Sequence, residues 1–162
     1  MSQRRAVLPA KLIAPNFIGL LPRSRLFRMI DQRTNRSVLW VTGLPGSGKS
    51  ALVSSYLRAC RLRGLWYRID SGDRDPAGFF YYLGLAVNQA APRMSTPLPL
   101  LTPEYRGGVA AFCQSYFRSL FSRIEPPFFL VFDDCHLLTE KDSFFELIKI
   151  GIAEAVWIKY WV

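Results

Sequence analysis

The sequence has one histidine, His136, and three cysteines, Cys60, Cys113 and Cys135, widely spaced and without a C-x-x-C pair. Cysteines odd in number and spaced in that way suit neither a disulfide framework nor a zinc ribbon, so they read as reduced thiols of a cytosolic protein. No apolar run approaches the roughly 18 uninterrupted residues of a membrane-spanning helix, because Arg, Lys, Asp, Pro or Gly breaks each one. No membrane partner is expected. Acidic residues are nearly missing from the front of the chain: up to Arg68, 13 basic residues face Asp31 alone, while the remainder holds 8 basic and 11 acidic residues. A front half of that kind suits nucleic acid, an anionic membrane surface or a polyphosphate ligand, or is simply a solvated basic face. The N-terminus has the Arg-bearing, acid-poor composition of a transit peptide, but Pro9, Pro15 and Pro22 break any long amphipathic helix there. Lys11 splits the apolar stretch over 8–21, which argues against a secretory signal.

What is present is enough apolar material for one core: 162 residues, half of them hydrophobic. Residues 24–33 carry Leu26, Met29 and Ile30 at helical spacing, and Val38-Leu39-Trp40-Val41 reads as a strand buried on both faces. From Lys49, Leu52, Val53, Tyr56, Leu57 and Cys60 recur every three or four residues, with Gly64 as the expected stop. Residues 65–69 form a second strand, 79–90 and 108–124 two further helices, and 128–132 a third strand delivering Asp133-Asp134. The Pro-rich stretch 91–103 is neither helix interior nor central strand. Strands alternating with helices at this spacing imply a parallel α/β sheet with helices on both faces.

Gly43-Leu44-Pro45-Gly46-Ser47-Gly48-Lys49-Ser50 matches G-x-x-x-x-G-K-[ST] between a predicted strand and a predicted helix, which points to a P-loop NTPase. The glycines let backbone N–H groups wrap a phosphate, and the following helix points its positive end at the same anion. Gly43, Gly46, Ser47 and Gly48 therefore form the cradle. Lys49 would reach the β- and γ-phosphates of ATP, and the Ser50 hydroxyl would ligate Mg²⁺. Open α/β sheets bind ligands at the carboxyl ends of their strands, where Asp133-Asp134 lies. Asp133 is the candidate Mg²⁺ residue and Asp134 the candidate catalytic carboxylate, orienting or deprotonating the water that attacks the γ-phosphate. Asp133, Asp134, Cys135 and His136 are metal-ligand types, but four consecutive residues do not converge on one ion. The aromatic segments Phe79-Phe80-Tyr81-Tyr82 and Phe128-Phe129 read as core rather than as base-stacking platforms.

Several segments together resemble the N-terminal ATPase domain of MalT-like, LuxR-type bacterial transcription regulators, a NACHT/AAA-like branch of the STAND class. They are Lys11-Leu12-Ile13-Ala14-Pro15, Leu21-Pro22-Arg23-Ser24-Arg25-Leu26, Trp66-Tyr67-Arg68-Ile69-Asp70-Ser71-Gly72-Asp73-Arg74-Asp75-Pro76 and Leu130-Val131-Phe132-Asp133-Asp134-Cys135-His136. The resemblance implies a lead-in segment over 1–23 and the NTPase domain over 24–162, with Pro22, Arg23 and Arg25 near the adenine. It also implies that Walker A and Walker B motifs bind Mg·ATP with weak or no hydrolysis, as a cytoplasmic switch for transcription. Self-association or a regulatory protein partner would belong to the full-length parent. In that family a strand after the acidic pair, here 155–162, lies between the phosphate-loop strand and the acidic-pair strand, and ends in a γ-phosphate sensor. The expectation is accordingly a fragment lacking the C-terminal part of the domain.

Two other readings compete. A stand-alone P-loop small-molecule kinase suits the small size, but no acceptor pocket or Arg-rich lid is identifiable. A non-enzymatic nucleic-acid-binding module would use the basic front half, with affinity falling steeply with salt and persisting without ATP. With the family's DNA-reading domain outside this chain, no specific DNA binding is expected of it.

Overall fold

The computed structural model describes residues 8–17, 19, 21–32, 38–90, 96–105, 108–125, 127–139, 142–155 and 159–161. Four strands, β1 (Val38–Leu39), β2 (Arg63–Arg68), β3 (Phe128–Asp133) and β4 (Lys159–Trp161), form one sheet in the order β1-β4-β3-β2. All three pairings are parallel. Among the described residues five α-helices accompany the sheet: α1 (Ser24–Asp31), α2 (Lys49–Ala59), α3 (Pro76–Ala90), α4 (Gly108–Phe121) and α5 (Ser143–Glu154). No helix among the described residues is long and apolar enough to cross a membrane.

Successive side chains of a strand point to opposite faces, and this parity divides the core. Leu65 and Tyr67 of β2 and Phe128, Leu130 and Phe132 of β3 pack with α3, α4 and α5. Trp66, Phe129 and Val131 face the other way, onto Ile30 of α1 and Leu52, Val53 and Tyr56 of α2. The fold is therefore α/β, with a small parallel sheet covered on both faces. Phe79 and Phe80 are core, with the Phe80 ring 4.7 Å from that of Tyr116 and 4.9 Å from that of Phe112. Tyr81 of the same segment instead points outward.

Several boundaries differ from expectation for physical reasons. Helix α3 starts at Pro76 rather than 79, because Pro suits a first helical turn and the Asp75 carboxylate accepts from the N–H groups of Ala77 and Gly78. Helix α2 stops at Ala59, where Arg61 turns left-handed (φ 51°) and the Leu62 N–H donates to the Leu57 carbonyl. Gly64 is thus no helix stop. It lies in β2, where a Cβ would come within 3.2 Å of the Phe129 carbonyl of β3. The front strand is also shorter and wetter than expected: β1 spans two residues, and Trp40 beyond it is 54% exposed. Among the described residues β1 pairs with β4 alone, and that ladder stops at Leu39↔Trp161.

The segment before α1 lies along the domain. Leu12 is buried, Ser54 Oγ of α2 donates to the Pro15 carbonyl at 2.8 Å, and Arg58 donates to Asn16 Oδ1 and the Phe17 carbonyl.

Candidate functional site

The loop from β1 to α2 is built on glycines whose geometry other residues would strain. Gly46 (φ 77°) and Gly48 (φ 80°) are left-handed, and a Cβ on Gly43 would approach Ser47 Oγ to 2.9 Å. The Ser47 N–H closes the turn on the Leu44 carbonyl at 3.1 Å. Gly48 is the N-cap of α2, and among the described residues no side chain caps that helix and no acidic residue occupies its first turn. Its leading N–H groups and positive end remain available to an anion. Lys49 Nζ bends over the loop, donating to the carbonyls of Gly43 (3.0 Å) and Leu44 (3.3 Å).

Across from this loop, β3 ends in Asp133. Ser50 Oγ in the first turn of α2 donates to Asp133 Oδ1 at 2.8 Å, although the two residues stand 83 positions apart. The Asp134 N–H donates to the same carboxylate oxygen at 3.1 Å, which holds it from a second side. Asp134 itself is left-handed (φ 62°), a conformation that costs a non-glycine residue about 1–2 kcal/mol. Its carboxylate lies 3.7 Å from Arg68 Nε at the end of β2, the residue in register with Asp133. Both groups are partly exposed.

A cavity of about 450 Å³ joins these groups, with Lys49, Ser50, Asp133 and Asp134 at one part and Trp40, Val53, Trp66 and Val131 making an apolar wall. That volume falls in the range of small-molecule sites. Cys135 and His136 also line it. Burial, reinforced by Asp133 and Asp134, pushes the Cys135 thiol up to about 12, so it stays a neutral thiol donating weakly to the Phe132 carbonyl. Among the described residues no three His, Cys, Asp or Glu side chains gather around one point as metal ligands do.

Most of the residues singled out from the sequence meet here. Gly43, Lys49, Ser50, Asp133 and Asp134 share the cavity, with Gly46, Ser47 and Gly48 completing the loop beside it. Arg23 reaches that loop too: its Nη1 donates to the Ser47 carbonyl at 3.0 Å. Arg25 does not, because its guanidinium lies along α1 and donates to Met29 Sδ at 3.6 Å. Sequence reading passed over Arg68 and the Trp66 wall. The strand register that sets Arg68 beside Asp133 is no local pattern, but alternation along β2 already puts Trp66 and Arg68 on one face.

No family model matches the chain. It is 30% identical over 137 residues to the HTH-type transcriptional regulator MalT of Cronobacter sakazakii (strain ATCC BAA-894). The similarity is to a transcription regulator. It takes in 82% of this chain, which spans about 15% of the length of that relative. At the level of family, the relationship supports the MalT-like regulators that the sequence segments resemble.

Proposed function

We propose that this chain is a nucleotide-binding switch domain of a MalT-like, LuxR-type transcription regulator, and that it binds ATP with Mg²⁺ at residues 43–50. The observation that carries the reading is the Ser50 to Asp133 hydrogen bond, which ties the glycine loop to the carboxyl end of β3 at the mouth of the cavity. The donor set fits Mg²⁺, which prefers hard oxygen ligands and completes its shell with phosphate oxygens and water around one or two carboxylates. Ser50 and Asp133 would hold the ion, which would supply positive charge to offset that of the phosphates.

The remaining roles follow from charge and position. The N–H groups of Gly46 and Gly48 and the start of α2 receive the phosphates, while the Ser47 N–H keeps its turn bond to Leu44, and Lys49 exchanges its two loop carbonyls for phosphate oxygens. Asp134 is the carboxylate that orients or deprotonates water for slow hydrolysis of the γ-phosphate. As part of a transcription regulator, the domain would work in the bacterial cytoplasm and couple nucleotide state to the rest of a longer protein.

Calorimetric titration with Mg·ATP tests the reading. A charge-assisted contact is worth about 1.5–3 kcal/mol, so Lys49→Ala should weaken binding roughly tenfold or more. Equal affinity in wild type and Lys49→Ala would remove the assignment.

A further inference from the structure

We propose that Arg23 is a positioning residue of the phosphate loop, setting the direction of the Gly48 N–H rather than contacting the base of the nucleotide. The proposal rests on the phosphate-loop reading above. Two separate observations place the guanidinium. Arg23 Nη1 donates to the Ser47 carbonyl at 3.0 Å, and Nη2 lies 2.9 Å from where a Cβ on Gly48 would stand. In this position the guanidinium uses space that a side chain at residue 48 would enter.

The consequence follows from the planar trans peptide, in which a carbonyl and the next N–H point in opposite directions. Holding the Ser47 carbonyl on the Arg23 side turns the Gly48 N–H away from it, toward the side of the loop that receives phosphate. Consecutive N–H groups aimed to one side form an anion-binding nest, and fixing their direction in advance removes reorganisation from binding.

Both ends of this contact are held rigidly. The Arg23 carbonyl accepts from the N–H groups of Leu26 (2.8 Å) and Phe27 (3.0 Å), so its backbone is the first link of α1. Helix α1 packs on α2, which carries the loop: the Phe27 and Tyr56 rings meet edge to face at 5.4 Å, and Tyr56 OH donates to Asp31 at 2.6 Å. The segment preceding Arg23 is bound to α2 by the Ser54 and Arg58 contacts. Arg23 therefore meets the loop from a fixed base, and its side chain is engaged there rather than extended toward a base.

The test compares the whole chain as wild type, Arg23→Ala and Arg23→Lys, titrated calorimetrically with Mg·ATP and with magnesium tripolyphosphate, which has no base. The ¹H–¹⁵N resonance of Gly48 is followed in the ligand-free proteins. Losing this exposed contact, which acts on the ligand only through the loop, should in Arg23→Ala weaken both ligands by the same factor, about three- to tenfold, and shift the free Gly48 resonance. Arg23→Lys, which keeps a donor, should recover most of both effects. Loss confined to Mg·ATP would mean a base contact and overturn the proposal. Loss of both ligands with an unmoved Gly48 resonance would mean direct phosphate contact, and unchanged affinities would mean no role; either result overturns it. Wild type that binds neither ligand instead removes the phosphate-loop reading, and this inference with it.

Discussion

Lys11→Met is the perturbation whose cost the structure lets one work out most directly. Lys11 Nζ lies 3.0 and 2.9 Å from the two oxygens of Asp73 and 2.8 Å from Asp70, with the rings of Tyr67 and Tyr82 at 4.9 and 4.8 Å. Asp73 is only 1% exposed and Lys11 12%, so this is an interior pair. Removing the cation leaves a buried carboxylate whose remaining donors are Tyr67 OH (2.6 Å) and the Asp70 N–H (2.8 Å). Burial, with Asp73 beside it, raises the Tyr67 hydroxyl above its usual range, so it stays protonated and keeps donating.

Breaking a buried pair from one side costs about 3–5 kcal/mol, and the two surviving donors argue for the lower part of that range. Asp70 is half-exposed and adds less than about 1 kcal/mol. The expected loss is about 3–4 kcal/mol, or roughly 6–16 °C in Tm for a domain of this size. Urea and thermal unfolding of Lys11→Met read it directly. Adding Asp73→Asn removes the stranded charge and should return at least half of the loss. A Lys11→Met cost below about 1 kcal/mol, or a double variant as destabilised as the sum of the single ones, would refute the reasoning.

Thiol labelling tests the burial of the other two cysteines against exposed Cys60. Burial, with Glu154 nearby, pushes Cys113 up to about 12, as burial and the acidic pair do for Cys135. A raised thiol pKa disfavours the reactive thiolate, so at pH 8 only about one part in ten thousand is ionised at either site. Iodoacetamide should modify Cys60 first and Cys113 only on unfolding; rapid modification of Cys135 in the folded protein would contradict this. The two carboxylates should separate by role: Asp134→Asn keeps Mg·ATP binding and lowers phosphate release by about 10²–10⁴-fold, while Asp133→Asn weakens the Mg²⁺ dependence of binding. Unchanged phosphate release in both variants, or loss of binding in Asp134→Asn, would reject that division.

The sequence alone determined whatever depends on neighbours in the chain. Apolar spacing announced α2, α3 and α4, and alternation with strands announced a parallel sheet covered on both faces, because helix and strand periods are local properties. The loop at 43–50 was legible for the same reason, since its glycines, Lys49 and Ser50 are contiguous. Even the partnership of Ser50 with Asp133 was within reach, because both sit where parallel strands end and open α/β sheets place ligands.

Tertiary structure decided what depends on which surfaces cross. Nothing near Lys11 announces Asp73, 62 positions away, as its partner. Arg23 and Arg25 look equivalent in sequence, yet helical geometry sends one to the Ser47 carbonyl and the other along α1 to Met29. The apolar run at 38–41 promised a strand buried on both faces, but pairing with β4 ends at Leu39 and Trp40 is exposed beside the cavity. Arg68 joined the site only once register set it opposite Asp133. Each outcome rests on a contact distant in sequence, where the local pattern permits many partners and the packed chain selects one.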